Sequence, residues 1–117
     1  MYPLISIWTI LPGKEAEAIA ALKAAALKVQ AEEPDTLAYL VHTPDFTQPN
    51  LPTPPAGQVV FFEIYKDHDA FLYHLNGPTF TGFVKQYGNL FLNSNGSPYV
   101  TVEMMTLQGG FIRPGTV

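Results

Sequence analysis

Two residues stand where a side chain of their type could move a proton within apolar surroundings. His74 lies in AFLYHLNGPTF (70–80), three residues after Phe71 and one before Leu75, at the flank of the buried stripe of a short helix. A neutral imidazole in that position can take a proton from a phenol, or hold a phenolate. It can equally be a structural histidine bonded to backbone or to a strand residue, and spacing alone does not choose between the two. Glu63 is the lone carboxylate of VVFFEIY. An unpaired charge buried there costs several kcal/mol, so the group must find a partner or water, or take up a proton. That leaves Glu63 either as base or hydrogen-bond partner in a pocket, or as half of a pair across a subunit contact. Glu103 poses the same question more weakly, because its strand is less apolar. His42, His68 and His74 show no paired spacing such as i, i+4, so no metal site is expected.

Aromatic residues supply the other half of a possible site. Trp8 and Tyr65 could wall a flat substrate by stacking, although large aromatics are also the ordinary content of a core. Nine of the fifteen aromatics fall between Phe61 and Phe91. Such density suits a pocket for a flat apolar ligand between a sheet and short helices, and it suits a compact core as well. Phe71 and Phe83 are the expected further walls, and Ser6, on the same strand face as Trp8, is counted with them as substrate-binding.

The elements that would position these residues are legible from periodicity. LISIWTIL (4–11) is a continuous apolar run stopped by Pro12-Gly13 and reads as a strand buried on both faces. KEAEAIAALKAAALKVQAEEP (14–34) is an alanine-rich helix with Ile19, Leu22, Ala26 and Val29 as its buried stripe; Glu15 and Glu17 suit its start and Pro34 ends it. TLAYLVHT (36–43) and QVVFFEIY (58–65) are strands. Between them, residues 44–58 hold five of the eleven prolines and form a long connecting loop. Asp67 is placed to cap a short helix through Leu75, Asn76-Gly77 breaks it, and Pro78 opens a second with Phe80, Phe83, Val84 and Tyr87 on one face. YVTVEMMTL (99–107) is the last strand, with Met104 and Met105 on opposite sides, and residues 109–117 form a tail reaching beyond a 1–108 domain.

This β-α-β-β-α-β order gives an α+β, ferredoxin-like fold: a four-stranded antiparallel sheet with its helices on one face. Both parities of every strand are nonetheless apolar, so the other face needs a cover, and a second copy packed face to face is the simplest one. Composition points the same way. The chain is 47% hydrophobic and only 14% charged, which is apolar for a monomer that must wet its whole surface. Six basic against ten acidic residues argue against a nucleic-acid partner, and the single arginine, Arg113, leaves no guanidinium clamp in the body. Without cysteine there is no disulfide, thiolate nucleophile or thiolate metal site. MYPLISIWTILPGKE has no charged n-region or small-residue cleavage site, and its apolar run is far too short to span a bilayer, so a cytoplasmic location without membrane contact is expected.

The strings themselves resemble a known family over about residues 4–107. A strand ending in Pro-Gly-Lys, an alanine-rich helix, EPDTLAYLVH and VVFFEIYKDHDAFLYHLNGPTFTGF are similar to the antibiotic biosynthesis monooxygenase domain of the dimeric α+β barrel superfamily, nearest to its quinol monooxygenases. Glu33, Pro34 and Thr36 match the family string, with Asp35 in place of a glycine. Glu63, Tyr65, Ala70, Phe71, His74, Leu75, Pro78 and Phe80 match as well, with Phe62 in place of a tyrosine. The haem-degrading branch carries Asn, Trp and an axial His where this chain has Ser6, His74 and Val84, so the resemblance does not extend to haem degradation.

The resemblance implies oxygenation of a quinol-like or phenolic aromatic by O₂, with no metal, flavin or haem as cofactor, in a homodimer. A deprotonated phenol can itself pass an electron to O₂, leaving the protein to supply an apolar pocket, a base and exclusion of water. His74 and Glu63 are the expected proton-handling residues. A non-catalytic ligand-binding or stress-associated member of the same fold, and an isomerase or decyclase using the same histidine, are the alternatives.

Overall fold

The computed structural model describes residues 1–115. Four strands form one antiparallel sheet: β1 (Tyr2–Thr9), β2 (Thr36–His42), β3 (Gln58–Tyr65) and β4 (Tyr99–Met104), in the order β2-β3-β1-β4. Helix α1 (Glu15–Glu32) connects β1 to β2, while α2 (His68–Asn76) and α3 (Pro78–Tyr87) connect β3 to β4. This is the expected ferredoxin-like arrangement of two interleaved βαβ units.

Strand alternation and register decide what each face carries. Leu4, Ser6 and Trp8 of β1 stand beside Glu63, Phe61 and Val59 of β3, and all are buried beneath the helices. The intervening Ile5, Ile7, Val60 and Phe62 point to the outer face and are only half-buried. The main core packs Trp8, Phe61, Leu90 and Phe91 against Ala18 and Leu22 of α1; a second, smaller cluster joins Leu4, Tyr65 and Ala70.

Four sequence expectations shift. The first strand runs Tyr2–Thr9 rather than 4–11, and its outward residues Ile5 and Ile7 are only half-buried. The last strand ends at Met104 rather than 107: Leu4 pairs with Met104, Met105 N–H still bonds Pro3 O, and β1 begins at Tyr2, so β4 runs out of partner. The buried stripe of α1 is Ala18, Ala21, Leu22 and Val29, with Ile19 and Ala26 displaced to its half-buried flank. Alanine's small side chain lets α1 approach the sheet on that line, which turns the bulkier Ile19 aside. The tail does not simply leave the domain, since Ile112–Gly115 fold back along the β2 edge; the last two residues of the expected 109–117 tail lie outside the described residues.

The break between α2 and α3 has a steric cause. Asp67 Oδ1 accepts from Ala70 N–H (2.9 Å) to start α2, as expected. At Gly77 the backbone passes so close to the preceding turn that a Cβ would lie 2.5 Å from Tyr73 O. Pro78 then opens α3. No helix among the described residues is long and apolar enough to cross a membrane.

Candidate active site

Glu33 and His74 are the centre of a buried polar cluster under α2. Glu33 follows the last residue of α1, its N–H bonded to Val29 O, and Pro34 turns the chain into β2. Its Oε1 accepts from His74 Nδ1 at 2.7 Å and from Thr36 Oγ1 at 3.1 Å. Both residues of the pair are 4% exposed. A carboxyl oxygen facing Nδ1 selects the tautomer with hydrogen on that nitrogen, which leaves the Nε2 lone pair for a proton. The imidazole is enclosed by rings: the centroids of Phe80, Tyr65 and Tyr39 lie 5.2, 5.5 and 5.6 Å from its own.

Glu63 lies on the same side of the sheet as His74, flanked in register by Leu4 of β1 and Tyr39 of β2. It is 6% exposed, and burial raises its carboxyl above the usual carboxylate range; the hydrogen bond from Tyr65 and the nearby His74 oppose that rise without cancelling it. Tyr65 Oη donates to Glu63 Oε1 at 2.5 Å. Burial, followed by the Glu63 charge, pushes the Tyr65 phenol upward, and the same two causes act on Tyr39. Both phenols are thereby kept neutral, and that of Tyr65 is a donor.

The expected wall residues fall into two groups. Trp8 and Phe83 come together (6.0 Å between centroids) with Phe61 at 4.8 Å from Trp8, whereas Phe71 sits at the other end against Tyr65 (5.6 Å) and Tyr2 (5.7 Å). Ser6 does not present a free hydroxyl: it accepts from Trp8 Nε1 (2.9 Å) and donates to Thr101 O (3.0 Å). Its observed contacts fix the Trp8 indole. The space between sheet and helices is nearly filled, with a cavity of about 10 Å³ beside Trp8, Tyr39, Phe80 and Phe83. That holds about one water molecule. A much larger groove of about 910 Å³ opens elsewhere, between α1, β2 and the tail, and shares Tyr39 with the small cavity but has neither His74 nor Glu63 in its lining. Among the described residues, no group of three or more His, Asp or Glu is placed to hold a metal ion.

Sequence reasoning treated Glu33 only as part of a matching string and passed over Tyr39. The signal for Glu33 was available: a carboxylate just before the proline that stops an alanine-rich helix. Nothing in the spacing links it to His74, forty-one positions away.

Comparison with known proteins agrees with this architecture. No curated protein matches the chain. Among solved structures, an antibiotic biosynthesis monooxygenase superposes with a TM-score of 0.70 at 23% identity, covering 92% of this chain and 98% of that one. Rv0793 from Mycobacterium tuberculosis gives 0.70 at 18% identity, with 93% and 96% covered. A point variant of SnoaB, a cofactor-independent oxygenase from Streptomyces nogalater, gives 0.69 at 15% identity, with 96% and 97% covered. Identities this low speak for the fold alone. The family itself is shown by the sequence, since residues 1–86 match the antibiotic biosynthesis monooxygenase family model, and the chain belongs to that family.

Proposed function

We propose that the protein is a small cofactor-independent monooxygenase acting on a quinol-like or phenolic aromatic, with His74 as the base and Glu33 as the residue that positions it. The observation that carries this reading is the bond from His74 Nδ1 to Glu33 inside a cage of three aromatic rings. Nε2 takes the phenolic proton, the positioning carboxyl holds the ring as that charge appears, and the apolar surroundings favour electron transfer from the phenolate to O₂. For a hydroquinone the balance closes without an external reductant. The ring gives up four electrons; one oxygen atom enters it, the other leaves as water, and a hydroxyquinone results. Glu63, with its carboxyl raised by burial, and Tyr65 serve as hydrogen-bond partners to the substrate oxygen.

The closed packing around Trp8 and Phe83 requires α2 and α3 to move off the sheet to admit a ring. That same close packing favours a second reading, in which these residues are core and the protein binds a ligand without turnover. We place the protein in the cytoplasm as a homodimer whose outer sheet faces cover one another, because Ile5, Ile7 and Phe62 form an apolar face with nothing from their own helices over it.

Oxygen uptake with a panel of hydroquinones and phenols in metal-free buffer tests the enzyme reading. Uptake abolished by His74→Ala supports it. No uptake by the wild type, with aromatic binding retained, favours the binding reading, and product formed under strict anaerobiosis indicates an isomerase or decyclase.

A further inference from the structure

The large groove along the β2 edge has a chemistry of its own. Ile19, Ala26 and Leu27 of α1 form one wall, Leu40 and Val41 of β2 another, and Ile112 and Pro114 of the tail partly roof it. Leu27 is 68% exposed and Ile112 64%, so apolar surface is left in contact with water on both sides of the same opening. Its volume of about 910 Å³ lies within the range of roughly 300–1,000 Å³ common for small-molecule sites.

Charge narrows what would fill it. The protein carries ten acidic and six basic residues, yet the groove lining includes Lys23 and Arg113 and no Asp or Glu. Arg113 is the only arginine of the chain; it is exposed, and the fold-back of the tail places it at the rim of this apolar opening. Its guanidinium carbon lies 4.8 Å from the centroid of the Phe111 ring, a cation–π contact at the rim of the groove. A planar fork beside an apolar trough matches a carboxylate on an apolar body.

From these observations we infer that the helix side of the groove between α1, β2 and the C-terminal tail binds a hydrophobic carboxylate, its apolar body against Ile19, Leu27 and Val41 and its charge on Arg113 and Lys23. The inference stands apart from the catalytic reading, since neither His74 nor Glu63 lines this groove.

Isothermal titration of the full chain with 2-naphthoate and with its uncharged methyl ester tests it. The acid should bind saturably, one per chain, and more tightly than the ester. Arg113→Gln combined with Lys23→Gln should weaken the acid by about tenfold or more, as for loss of charge-assisted hydrogen bonds, and leave the ester unchanged. Leu27→Asp, an exposed substitution that puts a negative charge in the trough, should remove binding of the acid. His74→Ala should leave it intact. Absent saturable binding, equal affinity for acid and ester, unchanged affinity in the Arg113/Lys23 variant, or loss of binding with His74→Ala would each overturn the inference.

Discussion

His74 Nδ1 and Glu33 Oε1 lie 2.7 Å apart, joining the last turn of α2 to the residue that closes α1. Next to it, Thr79 Oγ1 of α3 donates to Glu32 Oε2 at 2.7 Å. Two consecutive carboxyl groups therefore fasten the two short helices to the end of the long one. Both sit at the negative end of the α1 dipole, where acidic groups are disfavoured. Their partners offset that cost, so orientation of the histidine and docking of α2 and α3 depend on the same contacts.

Removing the Glu33 carboxyl should separate the two effects. Glu33→Ala leaves Nδ1–H buried without an acceptor, at a cost of about 1–3 kcal/mol measured by urea denaturation. Glu33→Gln keeps an acceptor and should recover most of that stability. Both should lower kcat, by about 10-fold to 100-fold, because an amide neither orients nor stabilises the imidazolium as a carboxylate does. Wild-type kcat in the Gln variant would remove Glu33 from the mechanism while leaving its structural role.

Glu63 should make the fold less stable as pH rises. Its carboxyl titrates above the ordinary value of 4.5 in the folded protein because burial disfavours the charged form. A folded-state pKa above the unfolded one means that the folded protein holds the proton more tightly. The contribution is fully present below the unfolded pKa and is lost as pH climbs through the raised one. Glu63→Gln, which cannot titrate, should gain stability relative to wild type as pH is taken from about 5 to about 8, and denaturation curves across that range measure the gain. A constant difference across the range would show that Glu63 titrates alike in both states.

Much of this was readable in the chain because the signals were local. The strand QVVFFEIY, the cap at Asp67, the Asn76-Gly77 break and Pro78 at the start of α3 each follow from residues within a few positions of one another. That His74 and Glu63 share one side of the sheet came from the structure, since it depends on how α2 crosses β3. What could not be read were contacts between distant segments: Glu33 on His74, Ser6 consumed by Trp8 and Thr101, and the return of Arg113 to the β2 edge. The split of the aromatic walls into a Trp8–Phe83 end and a Tyr65–Phe71 end also depends on where α2 and α3 cross the sheet, which composition does not encode.

Gly77 is required by space. With a Cβ 2.5 Å from Tyr73 O, the neighbour is backbone and cannot rotate away. Gly77→Ala must displace the end of α2 or the start of α3, at a cost of about 1–3 kcal/mol by the measure of overpacked sites. The displacement acts directly on the turn that carries His74, so kcat should fall along with the melting temperature. Gly82→Ala serves as the control: it lies within α3, nothing stands within 4 Å of its added Cβ, and alanine favours helix. That variant should be at least as stable as wild type, and equal loss in both would point away from the close approach at Gly77.

The outer face of the sheet gives the last prediction. Ile5, Ile7, Val60 and Phe62 lie side by side across the two central strands, and all four are half-buried in the single chain. Full burial of such a side chain contributes about 1.5–3 kcal/mol; these are already half-buried, so covering them adds roughly half of that each, and four from each copy can hold two copies together. Light scattering should therefore give about 26 kDa, twice the 12.9 kDa of the chain. Ile7→Lys puts a charge at the centre of that face, next to its counterpart if the contact is two-fold, and should return the mass to that of one chain. Lys at this position faces away from Trp8 and the helices, so far-ultraviolet circular dichroism should be unchanged. A monomeric wild type, or a dimer indifferent to Ile7→Lys, would leave the outer face to some other partner.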